Sequence, residues 1–144
     1  MSFGNTFETE LLALILNGTA IDNIADNAAS SPLTNLYVSL HTADPGEAGS
    51  QTTSEANYTS YARVAVSRTS GGWTVADGGF ENTAEIAFPK CTGGTNQVTW
   101  FAIGTASSGA GKVILRGQLD DGGLAISNNI TPRFPAGSLV GSLD

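Results

Sequence analysis

The chain has few basic residues. Six Lys and Arg stand against 13 Asp and Glu, giving a formal net charge of −7 at pH 7. The six are scattered singly along the chain, whereas nucleic-acid-binding proteins usually neutralise phosphates with a clustered basic patch. Direct binding of DNA or RNA is therefore not expected.

Cysteine and long hydrophobic runs are also scarce. Cys91 is the single cysteine, which excludes an internal disulfide and argues against a disulfide-stapled secreted scaffold. The longest apolar run, Leu11 to Leu16, has six residues, whereas a membrane span needs about 20. Glu8 and Glu10 precede this run, where a signal peptide carries positive charge. We expect a soluble acidic protein made in the cytosol, without a membrane partner.

Turn-forming and small polar residues are abundant instead. Glycine supplies 18 of the 144 residues, against about 7% in average proteins. Threonine, serine and asparagine are also frequent, and charged residues make up only 13% of the chain. This mixture favours many short strands joined by tight turns over helices.

One helix is predicted near the N-terminus, over the stretch NTFETELLALILNG at residues 5–18. Asn5 or Thr6 is expected to cap it, and Gly18 supplies the left-handed residue that ends helices. The stretch from Thr19 to Thr34 has no clear periodicity and is expected to form an irregular arm.

The periodicity changes to two from Leu36 onward. Leu36, Val38 and Leu40 alternate with polar residues, which predicts a half-buried strand. Asp44, Pro45 and Gly46 form the structural turn that ends it, and residues 47–60 are expected to form a long exposed loop. Further strands are predicted at 61–67, 73–75, 81–88, 97–105, 112–119, 124–127 and 138–143.

About eight short strands separated by glycine-containing turns predict an all-β fold. We expect an antiparallel β-sandwich or jelly roll with one short N-terminal α-helix. The helix and irregular arm take residues 1–34 and the β-sandwich takes residues 35–144, within a single structural domain overall.

Three features resemble catalytic or ligand sites, and each has a simpler explanation. Residues 106–113 (ASSGAGKV) approach a phosphate-binding loop, but Val113 replaces the magnesium-binding hydroxyl and a strand follows where a helix is required. We expect a glycine-rich hairpin turn there instead. His41 is the only histidine, which suits a strand-end residue bonded to backbone or facing solvent. Cys91 lies in a turn. We therefore assign no catalytic, cofactor-binding or metal-binding residue and expect no enzymatic activity.

Aromatic residues leave a carbohydrate-binding module open as an alternative. Trp73 or Trp100 on an exposed sheet face, with nearby tyrosines, would provide a platform for stacking on sugars. Aromatic residues at strand positions are more often buried in the core, because each one buries about 150–250 Å².

One block of sequence is distinctive: LYVSLHTADPGEAGS at 36–50, followed by NYTSYARVAVSR at 57–68. Together with MSFGNTFETELL at the start, EIAFP at 85–89, VTWFAIG at 98–104 and AGSLVGSLD at 136–144, it resembles a family of small structural proteins of tailed bacteriophages. The resemblance covers nearly the full length and brings no catalytic residue with it.

The resemblance implies a virion protein that is made in the host cytoplasm. We expect it to decorate the capsid surface as a cement protein, binding the major capsid protein and itself as a dimer or trimer. A tail fibre or tail tip component is the alternative. The side chains expected to contact partners are those of Phe3, Phe7, Glu47, Gln51 and Tyr58.

Overall fold

Antiparallel β-structure dominates the chain. The computed structural model describes residues 4–21, 24–25 and 31–143. One α-helix, α1 (Asn5–Leu12), continues as a π-helical turn at Ala13–Asn17. Eleven strands are described: β1 (Asn35–His41), β2 (Val64–Ser67), β3 (Trp73–Ala76), β4 (Gly79–Asn82), β5 (Ile86–Ala87), β6 (Asn96–Val98), β7 (Trp100–Gly104), β8 (Val113–Gln118), β9 (Leu124–Ile126), β10 (Arg133–Phe134) and β11 (Val140–Ser142). The predicted fold class is confirmed: mainly antiparallel β-structure with one short N-terminal helix, consistent with a β-sandwich.

The chain groups into two compact units, each assembled from separate stretches. The first contains residues up to 35, 67–86 and the chain from 134 onward, and the second contains residues 36–66 and 87–133. The predicted division into residues 1–34 and 35–144 is not tested by this grouping and stays a prediction.

In the first unit, α1 contacts a three-stranded antiparallel sheet of order β11-β4-β3. Leu12, Leu16 and Trp73 are fully buried, and the Trp73 ring meets Phe80 edge-on at a centroid distance of 5.9 Å. The apolar spacing of the helix explains its position, because Leu12 and Leu16 lie four residues apart on one face. The core of this unit is therefore built from the helix and one face of its sheet.

The ends of the helical segment differ in how well they were predicted. Gly18 takes φ +66° and ends the helical stretch as expected. The predicted cap at Asn5 or Thr6 is wrong, because the helix begins at Asn5 and its N-cap is Gly4, without a side-chain cap.

The Arg68 guanidinium donates to the carbonyl oxygens of Leu14, Ile15 and Leu33 at 2.7–2.9 Å.

The second unit contains a four-stranded sheet of order β2-β1-β7-β8 and a two-stranded sheet of β6 and β9. Strand β1 pairs antiparallel with β7, and β7 pairs antiparallel with β8. Side chains at alternate β1 positions, Leu36, Val38 and Leu40, are buried as predicted. Ser39 and His41, on the opposite face of β1, are fully buried as well.

Two predicted strands are split in the structure. The 97–105 segment forms β6 and β7, because the chain changes partner at Thr99, from β9 to β1 and β8. The 81–88 segment forms β4 and β5, because the chain changes partner between Asn82 and Ile86, from β3 and β11 to β10. Hydrophobic alternation continues through both junctions, so it did not mark these changes.

Candidate functional site

His41, at the end of β1, is held by two hydrogen bonds. Its Nδ1 lies 2.8 Å from the Thr53 carbonyl oxygen and its Nε2 lies 2.9 Å from Ser39 Oγ. A carbonyl only accepts, so Nδ1 carries the proton and Nε2 accepts from the Ser39 hydroxyl. Burial lowers the pKa of His41, and the hydrogen bond to the Thr53 carbonyl opposes this effect. The expected backbone bond of His41 is confirmed, and it ties the 42–56 loop to the sheet.

Gln51 is a fully buried residue of the same loop. Its amide nitrogen donates to the Tyr37 carbonyl at 3.2 Å, and its amide oxygen accepts from the Ala106 N–H at 3.0 Å. A β-carbon added at Gly104 or Gly111 would overlap this amide. Gln51 therefore links β1 to the β7–β8 connection, and glycine is required at both neighbouring positions.

Glu55 and Arg63 form an ion pair near the same loop. Arg63 Nε donates to Glu55 Oε1 at 2.7 Å and its Nη2 donates to Oε2 at 2.8 Å, in a two-pronged ion pair. The Arg63 side chain is 2% exposed and that of Glu55 is 16% exposed. The remaining Arg63 donors reach the carbonyls of Ala106 and Gly109. Arg63 therefore links Glu55 to the β7–β8 connection.

Tyr61 completes the arrangement. Its hydroxyl donates to Glu55 Oε1 at 2.9 Å and accepts from the Leu40 peptide N–H at 3.1 Å. Burial raises the pKa of Tyr61. The hydroxyl therefore serves as an internal hydrogen-bonding group and satisfies a β1 peptide group.

The segment that resembles a phosphate-binding loop connects two antiparallel strands. Residues 105–112 join β7 to β8, and the Thr105 N–H donates to the Lys112 carbonyl at 3.1 Å. Lys112 is exposed and is followed directly by strand β8, where a phosphate-binding loop is followed by a helix. The prediction of a glycine-rich hairpin turn is confirmed.

The Asp44–Gly46 segment is a side-chain-stabilised turn. Asp44 Oδ1 accepts from the Gly46 N–H at 2.8 Å, and Gly46 takes φ +74°. The same carboxylate oxygen lies 3.0 Å from Arg116 Nε, and the Arg116 guanidinium lies 5.9 Å from the centroid of the Trp100 ring. The turn is therefore linked to β8 by an ion pair at the surface of the second unit.

The residues expected to contact partners lie in different environments. Glu47 is exposed and Phe7 is half-buried, whereas Gln51 and Tyr58 are buried. Phe3 lies outside the described residues. The expectation of a long exposed loop at 47–60 is wrong for Gln51, Ala56 and Tyr58, which are buried.

Tyr58 is held from several directions. Its hydroxyl donates to the Pro89 carbonyl at 2.9 Å, and its peptide N–H donates to Asn96 Oδ1 at 2.9 Å. Burial raises the pKa of Tyr58 to about 12, with a smaller contribution from Cys91. In this structure the side chain stabilises the second unit from within.

The tryptophans do not provide the platform considered from the sequence. Trp73 is fully buried in the first unit, as expected for an aromatic residue at a strand position, so it offers no surface for stacking on a sugar. Trp100 is half-buried and has Arg116 over its ring. Across the ranges that the structure describes, no group of three or more His, Cys, Asp or Glu side chains is arranged to hold a metal ion. Within the same ranges, every helix is too short or too polar to cross a membrane.

Comparison with known protein families matches residues 2–142 to the model described as "Podophage GP4 fiber I protein gp80". The chain belongs to this family. The gp80 match spans nearly the whole sequence and includes both units. No curated protein matches the chain. The predicted resemblance to phage structural proteins is confirmed, and the protein is a structural component of the phage virion.

Sequence reasoning missed the partners that hold the 42–56 loop in place. Ser39 lies two residues before His41, so strand periodicity already placed both side chains on one face. Glu55 and Arg63 carry opposite charges within a segment that has few charged residues. Neither pattern predicts that the loop contacts the sheet. Only the three-dimensional structure shows those contacts.

Proposed function

We propose that this protein is a non-catalytic structural subunit of the phage fibre. The observation that carries the proposal is the match of residues 2–142 to a family described as a fibre protein. Its work would be to bind neighbouring virion proteins and to transmit force without unfolding. That task needs a stable framework and exposed contact surfaces, and it needs no reactive group.

The network in the second unit supports a mechanical role. His41, Gln51 and Arg63 connect the 42–56 loop and the residues that follow it to the sheet and to the β7–β8 connection, through part-buried hydrogen bonds. Buried hydrogen bonds and a paired buried charge are costly to break singly, so the loop resists local opening. The side chains most suited to chemistry are therefore used for internal support.

The position of His41 also supports the absence of catalysis. It is the only histidine in the chain, it is fully buried, and both ring nitrogens are engaged. A general base must reach a proton of the substrate within hydrogen-bond distance. His41 meets Ser39 and Thr53 instead.

Decoration of the capsid surface, with the major capsid protein as partner, stays a prediction. It needs the same stable framework, and the two roles differ in the virion protein that is bound. The fibre role is preferred here because the family description names a fibre.

Deletion of the gene in the phage, with complementation in trans, separates the two roles. The proposal expects complete, DNA-filled heads that lack a fibre in electron micrographs, and expects complementation to restore it. Particles that keep every fibre but lose DNA on mild heating would contradict the fibre role and support capsid decoration.

A further inference from the structure

Strand β11 (Val140–Ser142) forms an open edge of the three-stranded sheet in the first unit. It is the last strand in the order β11-β4-β3, and among the residues that the structure describes none pairs with its other side. The Val140 side chain is 61% exposed, and Ser142 is exposed as well. The edge of β11 is therefore accessible to a further strand.

The register of β11 shows which of its peptide groups face outward. Two hydrogen bonds of 3.2 Å set this register, from the Asn82 N–H to the Leu139 carbonyl and from the Leu143 N–H to the Gly78 carbonyl. They flank the pairs of Val140 with Glu81 and of Ser142 with Gly79. Hydrogen-bonded and non-bonded pairs alternate in an antiparallel ladder. The peptide groups of Val140 and Ser142 therefore point away from β4, toward the open edge.

Val140 and Glu81 lie side by side on the solvent face of this sheet. They are cross-strand partners and both are exposed. The opposite face is the core face, where a β-carbon at Gly141 would overlap the Phe80 ring. A carboxylate oxygen of Glu81 lies 3.4 Å from the position of a β-carbon on Gly137, in the segment that leads into β11. An exposed apolar side chain and a carboxylate thus stand together beside the open edge.

The net charge of the protein is concentrated in the first unit. The sequence ranges of this unit contain eight Asp and Glu and one basic residue, Arg68, for a formal net charge of −7, whereas the second unit contains five residues of each sign. The Arg68 guanidinium is bonded to the carbonyls of the helical segment. A second copy that added its own β11 would bring two units of −7 together, so charge favours a basic partner.

We propose that the β11 edge binds an extended basic segment of a neighbouring virion protein, which adds to the sheet as a further strand. The proposal rests on the proposed structural role in the virion. The outward peptide groups of Val140 and Ser142 bond to the backbone of this segment. A Lys or Arg opposite Val140 lays its methylene groups over the exposed valine and brings its charge to Glu81. The added strand lies about 9.5 Å from β4, twice the usual strand spacing, which the two long side chains span together.

Binding of the purified protein to particles of the gene-deletion phage tests the charge contact. We expect Glu81→Lys to raise the half-saturating concentration at least about threefold, because it replaces attraction by repulsion. Glu10→Lys is the matched control, since it makes the same charge change at an exposed residue of α1 in the same unit. Its effect should stay below about twofold, because solvent and salt screen a distant charge.

A second pair of variants tests the backbone contact. Val140→Pro removes one outward N–H and leaves the bonds between β11 and β4 in place, as proline does on an edge strand. Val140→Thr keeps this N–H and the β-branched shape. We expect Val140→Pro to bind at least about threefold more weakly than Val140→Thr, because one backbone hydrogen bond is lost. Circular dichroism checks the fold, and Glu81→Lys decides alone if Val140→Pro does not fold.

Equal binding by Glu81→Lys and Glu10→Lys, or by the two folded Val140 variants, overturns the proposal and leaves the fibre role standing. A dimer of the free protein that Val140→Pro abolishes in sedimentation velocity also overturns it, because a second copy then occupies the edge. Particles that do not bind the unmodified protein contradict both this proposal and the fibre role.

Discussion

Gln51 fills the space that a side chain at Gly104 would need. A β-carbon at Gly104 would overlap the Gln51 amide, which bonds to the Tyr37 carbonyl and the Ala106 N–H. A polar loop residue thus acts as a core residue of the second unit. The stability of the sheet and the position of the loop are therefore coupled.

Replacing Gly104 by alanine should destabilise the protein by about 1–3 kcal/mol, because the new methyl group displaces a buried amide and breaks its bonds. Urea unfolding measures the change. In the double variant with Gln51→Ala, the loss should be smaller than the sum of the two single losses. Gly71→Ala is the control, since its β-carbon meets nothing closer than 3.5 Å, and equal stability of Gly104→Ala and Gly71→Ala would contradict the role of Gln51.

Replacing Arg63 by alanine should cost about 3–5 kcal/mol, because it leaves the mostly buried Glu55 carboxylate without its cation. Hydrogen exchange should also accelerate at residues 105–112, whose carbonyls at Ala106 and Gly109 lose their donor. Lys90→Ala removes an exposed charge and should change the free energy of unfolding by less than about 0.5 kcal/mol. Unchanged exchange in Arg63→Ala would show that this residue does not hold the connection.

Acid should destabilise the second unit through His41. Its pKa is lowered on folding from the ordinary value of 6.5, so the unfolded chain binds the proton more readily. The stabilisation is complete above about pH 6.5 and is lost as the pH falls toward the lowered value, with a slope of at most about 1.4 kcal/mol per pH unit. Urea unfolding between pH 5 and 7 should show this slope, and His41→Gln should reduce it. An identical slope in the two proteins would exclude His41 as its source.

Arg68 should be needed to hold the helical segment of the first unit. Arg68→Ala removes charged donors from the carbonyls of Leu14, Ile15 and Leu33 and should cost about 2 kcal/mol or more. Arg68→Lys should recover only part of this loss, because a single ammonium does not reproduce the planar fork. Hydrogen exchange over residues 5–17 reports the effect, and full recovery by lysine would contradict the geometric explanation.

Local patterns in the sequence were sufficient for the secondary structure that depends on neighbouring residues. The alternation at Leu36, Val38 and Leu40 predicted β1, and Gly18 predicted the end of the helical segment. The antiparallel all-β class followed from many such short patterns separated by turns. Each of these features is determined by residues that lie within a few positions of one another in the sequence.

The roles of loop residues could not be predicted in this way. Residues 47–60 contain little apolar material, so the sequence favoured an exposed loop, yet Gln51 and Tyr58 are buried. Their burial is possible because distant groups, the Ala106 N–H and the Pro89 carbonyl, satisfy their polar atoms. Such partners lie 31 and 55 residues away along the chain, beyond the reach of a periodicity argument.

The position of the protein in the virion tests the central claim most directly. A hexahistidine tag labelled with gold, imaged by electron cryomicroscopy on infectious particles, would locate each copy. The account predicts gold at the fibres and a copy number that matches them. Gold distributed over the head shell, or purified particles without the protein, would contradict it.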